Sequence, residues 1–286
     1  MAPVEPHPAI RQGRVVVIPG VYDALSARIA ERSGFPAVVL TGYGVSATYL
    51  GEPDFGILTQ SEMLDVARRV ISAVGIGVIV DGDTGYGGPP NVQKLVRDLV
   101  AMGARGVILE DQTWPKRCGH MRDKDVISAE EHAAKIRAAC DARGDTHLMI
   151  TARTDALETH GIEEAIRRAL IYKDAGADVL FVEGPRTREE LAEIGSRLPP
   201  PLAVNLIEGG RTPILSLEEL QEMGFFSIGY VLSALYASAA AIERTFATLR
   251  HEGRTGSIAD DMMSFSDFND LIGVEEKYRV DERYRI

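Results

Sequence analysis

Cysteine is nearly missing from this chain of 286 residues, which has two, Cys118 and Cys140. Two are too few for a disulfide framework, so Cys118 is read as a working thiol. Net positive charge is missing as well. The formal charge of -11 argues against a nucleic-acid binder or a protein that rests on an anionic membrane. It leaves room for a local basic pocket that takes an anionic substrate. No apolar run approaches the roughly 18 residues of a membrane span. Met1 to His7 is Pro-rich and polar rather than charged-then-apolar, so no targeting signal is read there. A soluble, cytoplasmic protein is expected. No His pair stands at metal-ligand spacing, which disfavours zinc, and no repeat suggests a solenoid.

Two glycine-rich stretches invite nucleotide-binding readings that fail on detail. Gly42-Tyr43-Gly44-Val45-Ser46-Ala47 follows a strand pattern and has the form of a dinucleotide fingerprint. It lacks a strand-terminal acid about twenty residues on, and Gly51 to Gly56 interrupts any helix. Gly82 to Gly88 lacks the Lys-Ser/Thr ending of a phosphate loop.

What is present is alternation. The chain is 45% hydrophobic, ample for a core. Short β-branched runs predict strands at Val15–Ile18 (ended by Pro19-Gly20), Ala37–Leu40, Val78–Val80, Gly106–Leu109, Leu148–Ala152, Val179–Val182, Leu202–Val204 and Phe226–Gly229. Helical patterns follow each. Asp23 caps one with Leu25, Ile29 and Ala30 on its apolar face, and Thr59 caps another through Ile71. Others run from Pro90 to Met102, from Ser128 to Cys140 (with Glu131 in capping-box position), from Ile162 to Ala175, from Glu189 to Leu198, from Leu217 to Met223 and from Leu235 to Arg250. The last has Leu235, Ile242, Phe246 and Leu249 as its apolar positions. Eight strand–helix units predict an α/β fold, a (β/α)8 TIM barrel, with a doubly wound sheet as the alternative that the same alternation allows. The whole chain, 1–286, is expected to form one barrel domain, with 258–286 as a C-terminal helical extension.

The residues at the strand exits carry the chemistry. They are Thr41-Gly42-Tyr43, Asp81 and Asp83, Glu110, Arg153, Glu183 and Asn205. A barrel gathers all of them on its C-terminal face, where active sites are built. Asp81, Asp83 and Glu110 would repel one another without a cation among them. An all-oxygen set favours Mg²⁺, with Mn²⁺ as a substitute, and Asp54 is placed to join through water. Arg153 offers a fork for a substrate carboxylate. Glu183 and Asn205 are expected to hydrogen-bond the reacting centre or to hold Arg153. After Glu110 comes a long loop, Asp111-Gln112-Thr113-Trp114-Pro115-Lys116-Arg117-Cys118-Gly119-His120. Lys116, Arg117 and His120 flank Cys118, which predicts a thiol partly ionised near neutral pH. A long loop in a compact domain suits a lid that brings this thiol to the site as acid or base. Cys140, in a helix pattern, has no such setting.

Val80-Asp81-Gly82-Asp83-Thr84-Gly85, Glu110-Asp111-Gln112 and Lys116-Arg117-Cys118-Gly119-His120 together resemble the isocitrate lyase/phosphoenolpyruvate mutase superfamily. The last string marks its carbon–carbon lyase branch. Likeness runs from Pro19-Gly20-Val21-Tyr22-Asp23-Ala24 through Ala152-Arg153-Thr154-Asp155-Ala156 to Asn205-Leu206-Ile207-Glu208-Gly209-Gly210 and the C-terminal helix. The resemblance implies a Mg²⁺-dependent lyase on a (β/α)8 barrel that cleaves the C2–C3 bond of a 2-hydroxy di- or tricarboxylate. A carboxyphosphonoenolpyruvate phosphonomutase or an oxaloacetate hydrolase on the same scaffold is the alternative. By the same resemblance Asp81 lies nearest the metal, with Asp54, Asp83 and Glu110 holding its waters. Thr41, Gly42 and Tyr43 cradle a keto-acid carboxylate, and Arg153, Glu183 and Asn205 bind around the reacting bond.

Val231, after the eighth strand, stands where oxaloacetate-hydrolysing members of the resembling family carry serine. The stripe Phe265, Phe268, Leu271 and Ile272 matches a helix that the family exchanges between neighbours in dimers of dimers, so a homotetramer is implied.

Overall fold

The structure is a computed structural model and describes residues 15–285. The reading of Met1 to His7 as free of a targeting signal lies outside the described residues. Eight parallel strands close into one barrel in sequence order: β1 (Val16–Val21), β2 (Ala37–Leu40), β3 (Gly77–Asp81), β4 (Gly106–Glu110), β5 (Met149–Thr154), β6 (Val179–Val182), β7 (Leu202–Asn205) and β8 (Phe225–Tyr230). β8 pairs with β1 from Val16↔Ser227 to Pro19↔Tyr230, which completes the ring. The doubly wound alternative is thereby excluded.

The first strand continues through Pro19-Gly20 instead of stopping there. Proline lacks one ladder donor, but pairing with β2 takes over at Gly20↔Val39 and Val21↔Leu40. Gly20 is needed for room: a Cβ on it would lie 1.9 Å from the Val231 carbonyl oxygen.

The helices are α1 (Ala24–Arg32), the short α2 (Gly42–Val45), α3 (Gln60–Ala73), α4 (Pro89–Met102), α5 (Ala129–Arg143), the short α6 (Ala156–His160), α7 (Ile162–Asp174), α8 (Arg188–Arg197), α9 (Leu217–Glu222), α10 (Ser233–Glu252), α11 (Phe265–Ile272) and α12 (Val274–Tyr284). Their starts follow capping chemistry. Asp23 accepts from the Ser26 N–H while the Ser26 hydroxyl reaches back, and Thr59 and Glu62 do the same for α3. Ser128 accepts from the Glu131 N–H, without a reciprocal bond from the Glu131 side chain.

Two hydrophobic clusters result. The large one lies between sheet and helices and includes Leu40, Met63, Leu95, Leu99, Ile136 and Ile166. The small one comprises Val16, Ile18, Val39 and Ile79, with Ile108, Phe226 and Val231 against it. Alternation along each strand sends these side chains to the barrel axis. Small residues such as Ala37, Thr151, Ala203 and Ser227 share that axis, and the described residues leave a cavity of about 450 Å³ toward the end where the strands begin. The expected apolar face of α1 is revised: Ala27 and Ala30 are buried, whereas Leu25 and Ile29 are exposed. The last helices differ from the other barrel helices. No residue of α10 is buried, and Phe246 and Phe265 are 65% and 85% exposed. Leu271 of α11 is buried, with its carbonyl accepting from Arg28 of α1 at 3.3 Å.

Candidate active site

At the strand exits the expected residues converge. One small cavity of about 50 Å³ is lined by Thr41, Tyr43, Asp54, Asp81, Glu110, Lys116, Arg117, Cys118, His120, Arg153, Glu183, Asn205 and Val231. Its floor is shared with the hollow barrel axis: Val39, Ile108, Phe181 and Asn205 line both cavities.

The β3 exit is held by its own backbone. Asp81 accepts from the N–H of Gly42 and from that of Asp83, each at 3.1 Å. Asp83 is buried with φ 47, a left-handed conformation that costs an aspartate less than most residues. Thr41 caps the turn by accepting from the Gly44 N–H at 2.9 Å, and this presents Gly42 and Tyr43 to the site. Burial, with Asp81 and Asp54 adding to it against Lys116, pushes the Asp83 carboxyl up to about 7. Burial likewise drives Glu110 well above the usual carboxylate range despite Arg153.

Lys116 overturns its expected role. Its buried ammonium lies 2.6 Å from Asp54 Oδ1 and 2.5 Å from Asp83 Oδ1, directed into the carboxylates and not at the thiol. Burial works against its charge, but Asp83, Asp54 and Glu110 outweigh that and hold it well above an ordinary lysine. Arg117 also turns away. Its guanidinium lies over the Phe55 ring and donates to the Arg122 carbonyl, while Gln112 grips its backbone N–H and carbonyl. Cys118 is therefore not the ionised thiol that its sequence neighbours predicted. Burial raises it to about 11, with Asp54 and Glu183 adding to that against the His120 N–H and Arg153. Burial thus favours its thiol form over the thiolate. Cys140, as expected, is a helix cysteine, with its Sγ 3.3 Å from the Gly176 carbonyl.

Arg153 is the hub of the opposite wall. Its Nε and Nη2 form a fork on Asp155 at 2.8 and 3.0 Å. Nη1 lies 3.4 Å from Glu183, and Nη2 lies 3.4 Å from Glu110. Burial raises Glu183, but Arg153 and His120 outweigh it and bring the carboxyl below its usual range. His120 Nε2 stands 2.9 Å from Glu183, and Nδ1 accepts the Arg211 N–H at 3.1 Å.

Sequence reasoning missed the layer behind this wall. In the sequence neither Asp155 nor Asp111 is distinguished from ordinary loop polarity. Asp111 is buried and accepts from Thr154, the Asp155 N–H, Tyr172 and Arg168. An acid one residue past a strand-exit acid was the available signal.

The expected metal was tested against the donor set. Asp83 Oδ2 and Glu110 Oε1 are buried with no hydrogen-bond partner, and buried orphan lone pairs suit a cation. Among the described residues no three His, Cys, Asp or Glu side chains converge as a ready cage, since Lys116 and Arg153 stand among the carboxylates. Mg²⁺ keeps several waters and takes one or two carboxylates directly, so the residues fit a water-mediated ion.

Fold and site together define a (β/α)8 barrel with a charged pocket at the C-terminal face that also holds the Cys118 thiol, the face where barrel enzymes carry their active sites. A family model described as phosphoenolpyruvate phosphomutase matches residues 9–250. The petal death protein of Dianthus caryophyllus is 49% identical over 280 residues, covering 98% of this chain and 88% of its own. The 2,3-dimethylmalate lyase of Eubacterium barkeri is 43% identical over 271 residues, covering 95% and 94%. A solved oxaloacetate acetylhydrolase with the inhibitor 3,3-difluorooxalacetate superposes with a TM-score of 0.90 at 37% identity, covering 96% of this chain and 94% of its own. The chain belongs to the phosphoenolpyruvate mutase/isocitrate lyase superfamily, whose members include carbon–carbon lyases, phosphomutases and an oxaloacetate hydrolase.

Proposed function

We propose that this protein is a carbon–carbon lyase that cleaves the C2–C3 bond of a 2-alkylmalate or a 2-methylisocitrate-type acid into an α-keto acid and a carboxylate. The observation that carries the reading is geometric: the Cys118 thiol lines the same cavity as the Arg153–Glu183 pair and the apolar Val231. As the 2-hydroxyl loses its proton to solvent, C2 becomes the carbonyl of the keto acid and the C2–C3 pair stays on C3 as a carbanion beside a carboxylate. Cys118 donates the proton that quenches it, a role suited to a thiol whose burial favours the protonated form. The thiolate left by this proton transfer recovers its proton from solvent. Thr41, Gly42 and Tyr43 hold the keto-acid carboxylate, and Arg153 binds the other, with Glu183 and Asn205 around the reacting bond. Asp81 would hold Mg²⁺ or Mn²⁺ most directly, with Asp54, Asp83 and Glu110 on its waters. Such an ion, when bound, supplies Lewis acidity for the substrate's 2-hydroxyl.

The competing reading, oxaloacetate hydrolysis, draws on the close structural likeness to the acetylhydrolase. Val231 weighs against it. A hydrated carbonyl placed against valine lacks a hydrogen-bond partner, at a cost of about 1–3 kcal/mol. An alkyl group there gains about 0.8 kcal/mol per buried CH₂. The test is a panel of 2-substituted malates, methylisocitrate and oxaloacetate, assayed for keto acid and oxalate with Mg²⁺ and then with excess chelator. Alkylmalate or methylisocitrate cleavage that chelation abolishes and Mg²⁺ or Mn²⁺ restores is expected. Oxaloacetate turnover faster than any of these would overturn the lyase reading, and full activity in chelator would overturn the metal.

The same reading includes assembly through the last helices. Ile242 and Phe246 of α10 and Phe265 and Phe268 of α11 are exposed large apolar side chains, more than a lone barrel needs. A chain cut after Ser257 is expected to sediment as a smaller species than the full one, and unchanged sedimentation would remove these helices from the interface.

A further inference from the structure

A cavity of about 50 Å³ is far below the roughly 300 Å³ at which small-molecule sites begin, so the lid must open to admit a di- or tricarboxylate. What holds it shut is visible. Lys124 belongs to the lid, in the run Arg122-Asp123-Lys124-Asp125, where a solvated charge would be expected. Its side chain is instead 2% exposed. The ammonium donates to the Gly119 carbonyl within the lid and to Asp155 Oδ1 at 3.0 Å, and it lies 3.3 Å from Glu158 of α6. Asp155 is the carboxylate that forks onto Arg153. Gly119 lies directly on the working groups, since a Cβ there would stand 2.3 Å from Arg153 Nη2 and 2.5 Å from Glu183 Cγ. A second pin joins the lid to the loop after β7: Arg211 donates its N–H to His120 and pairs its side chain with Glu158. Glu158 thus serves both pins.

We propose that Lys124 is a positioning residue, the latch that seats the lid by joining the Gly119 carbonyl to Asp155, with Glu158 as the shared strike plate of both pins. The proposal rests on reading the loop as a lid that carries Cys118 to the site. Closure and aim are coupled, because one carboxylate, Asp155, holds both the latch and Arg153. When the lid lifts, Lys124 withdraws its charge from Asp155 and Glu158. Substrate binding then has to favour reseating.

The chain supplies its own reporter. Cys118 lies under the lid and Cys140 lies on α5, so the ratio of their alkylation rates by iodoacetamide, read on peptides by mass spectrometry, measures opening without any substrate. Lys124→Met is expected to raise the Cys118/Cys140 ratio at least about tenfold, because removing one partner of a buried pair leaves the others uncompensated. Glu158→Gln, at the edge of the network, is expected to raise it about threefold, since it keeps the shape and loses the charge. Lys124→Arg is expected to return it toward wild type. A ratio unchanged in folded Lys124→Met overturns the latch. Should that variant lack a cooperative melt, an unchanged ratio in Glu158→Gln overturns it. The readout uses no substrate, so the lyase assignment can fail on the acid panel while the latch stands, and the reverse holds too.

Discussion

The two ends of the barrel solve opposite problems. At the C-terminal end, charges are crowded until almost no space remains: Lys116 between Asp54 and Asp83, Arg153 among Asp155, Glu183 and Glu110, all over a cavity of about 50 Å³. At the other end the axis is mostly apolar, and the described residues leave about 450 Å³ of it unfilled. Packing contributes stability at close to its full value only where voids are absent, so the hollow end forgoes contacts that a filled barrel would have. The charged end keeps carboxylates, an ammonium and a guanidinium out of water, which is costly unless each is paired. Stability therefore resides mainly in the large cluster between sheet and helices. The axis is left to function at one end and to small residues at the other.

The comparison is tested most severely at the thiol. Cys118→Ala should lower the turnover rate about 10²–10⁴-fold, the range of a positioned general acid, with the melting curve unchanged. Cys140→Ala should leave the rate within about twofold, as suits a half-buried helix residue packed against the core away from the site. Equal losses in the two variants would remove Cys118 from the chemistry.

Next comes Lys116. Lys116→Met leaves Asp54 and Asp83 facing each other in a dry site and should lower the unfolding free energy by about 3–5 kcal/mol, measured by denaturant titration. A loss below about 1 kcal/mol would mean that the charged end is no more demanding than a surface pair.

A third measurement probes the layer behind the site. His132 is buried edge-on against Tyr172, with ring centroids 4.6 Å apart, and burial, with Lys135 adding to it, pushes its pKa down to about 3. An unfolded histidine titrates near 6.5, so between about pH 6.5 and 3 the unfolded chain binds one more proton than the folded one. Stability is therefore full above the unfolded value and falls as pH drops through this window, by about 1.4 kcal/mol per unit at its steepest from this residue. His132→Phe should flatten the slope of melting temperature against pH across that window. An unchanged slope would show that His132 takes up its proton in the folded protein.

The smallest effect belongs to the hollow end. Ala203→Val adds apolar atoms to the unfilled axis and should raise stability by up to about 1.5 kcal/mol while activity stays within about twofold. A large drop in activity would mean that the two ends are not independent.

Much of this architecture is legible in one dimension. An apolar β-branched run that ends in a polar residue is a linear signal, so Ala37–Leu40 and Val179–Val182 have the bounds expected of them and the strand-exit residues are the ones that line the site. What escapes the sequence depends on separation or on direction. Lys124 and Asp155 meet across 31 positions, and neither stands out locally from loop polarity. Lys116, Arg117 and Cys118 are adjacent in the chain yet point to different surroundings, so cationic neighbours in sequence say nothing about cations beside the sulfur. The apolar positions of α10 follow the helical period correctly, but periodicity does not reveal whether the matching surface lies within the same chain.

The floor shared by the two cavities has a consequence for how this barrel can change. Above it Lys116 and Arg153 are held by paired carboxylates, and Gly119 has no room for a methyl group. New capacity cannot be carved from the roof. Phe181 is also committed, because the Arg153 guanidinium lies over its ring at 5.4 Å. Ile108 and Val39 carry no such duty and separate the reaction chamber from the empty axis by the thickness of one side chain. Trimming either would open a cellar beneath the chamber, and a longer hydrocarbon tail could then descend through the floor while the ionic ceiling stays as it is. A single small substitution at Val39 or Ile108, apolar residues that lie under the charged groups without pairing with them, is the route by which this chamber would lengthen.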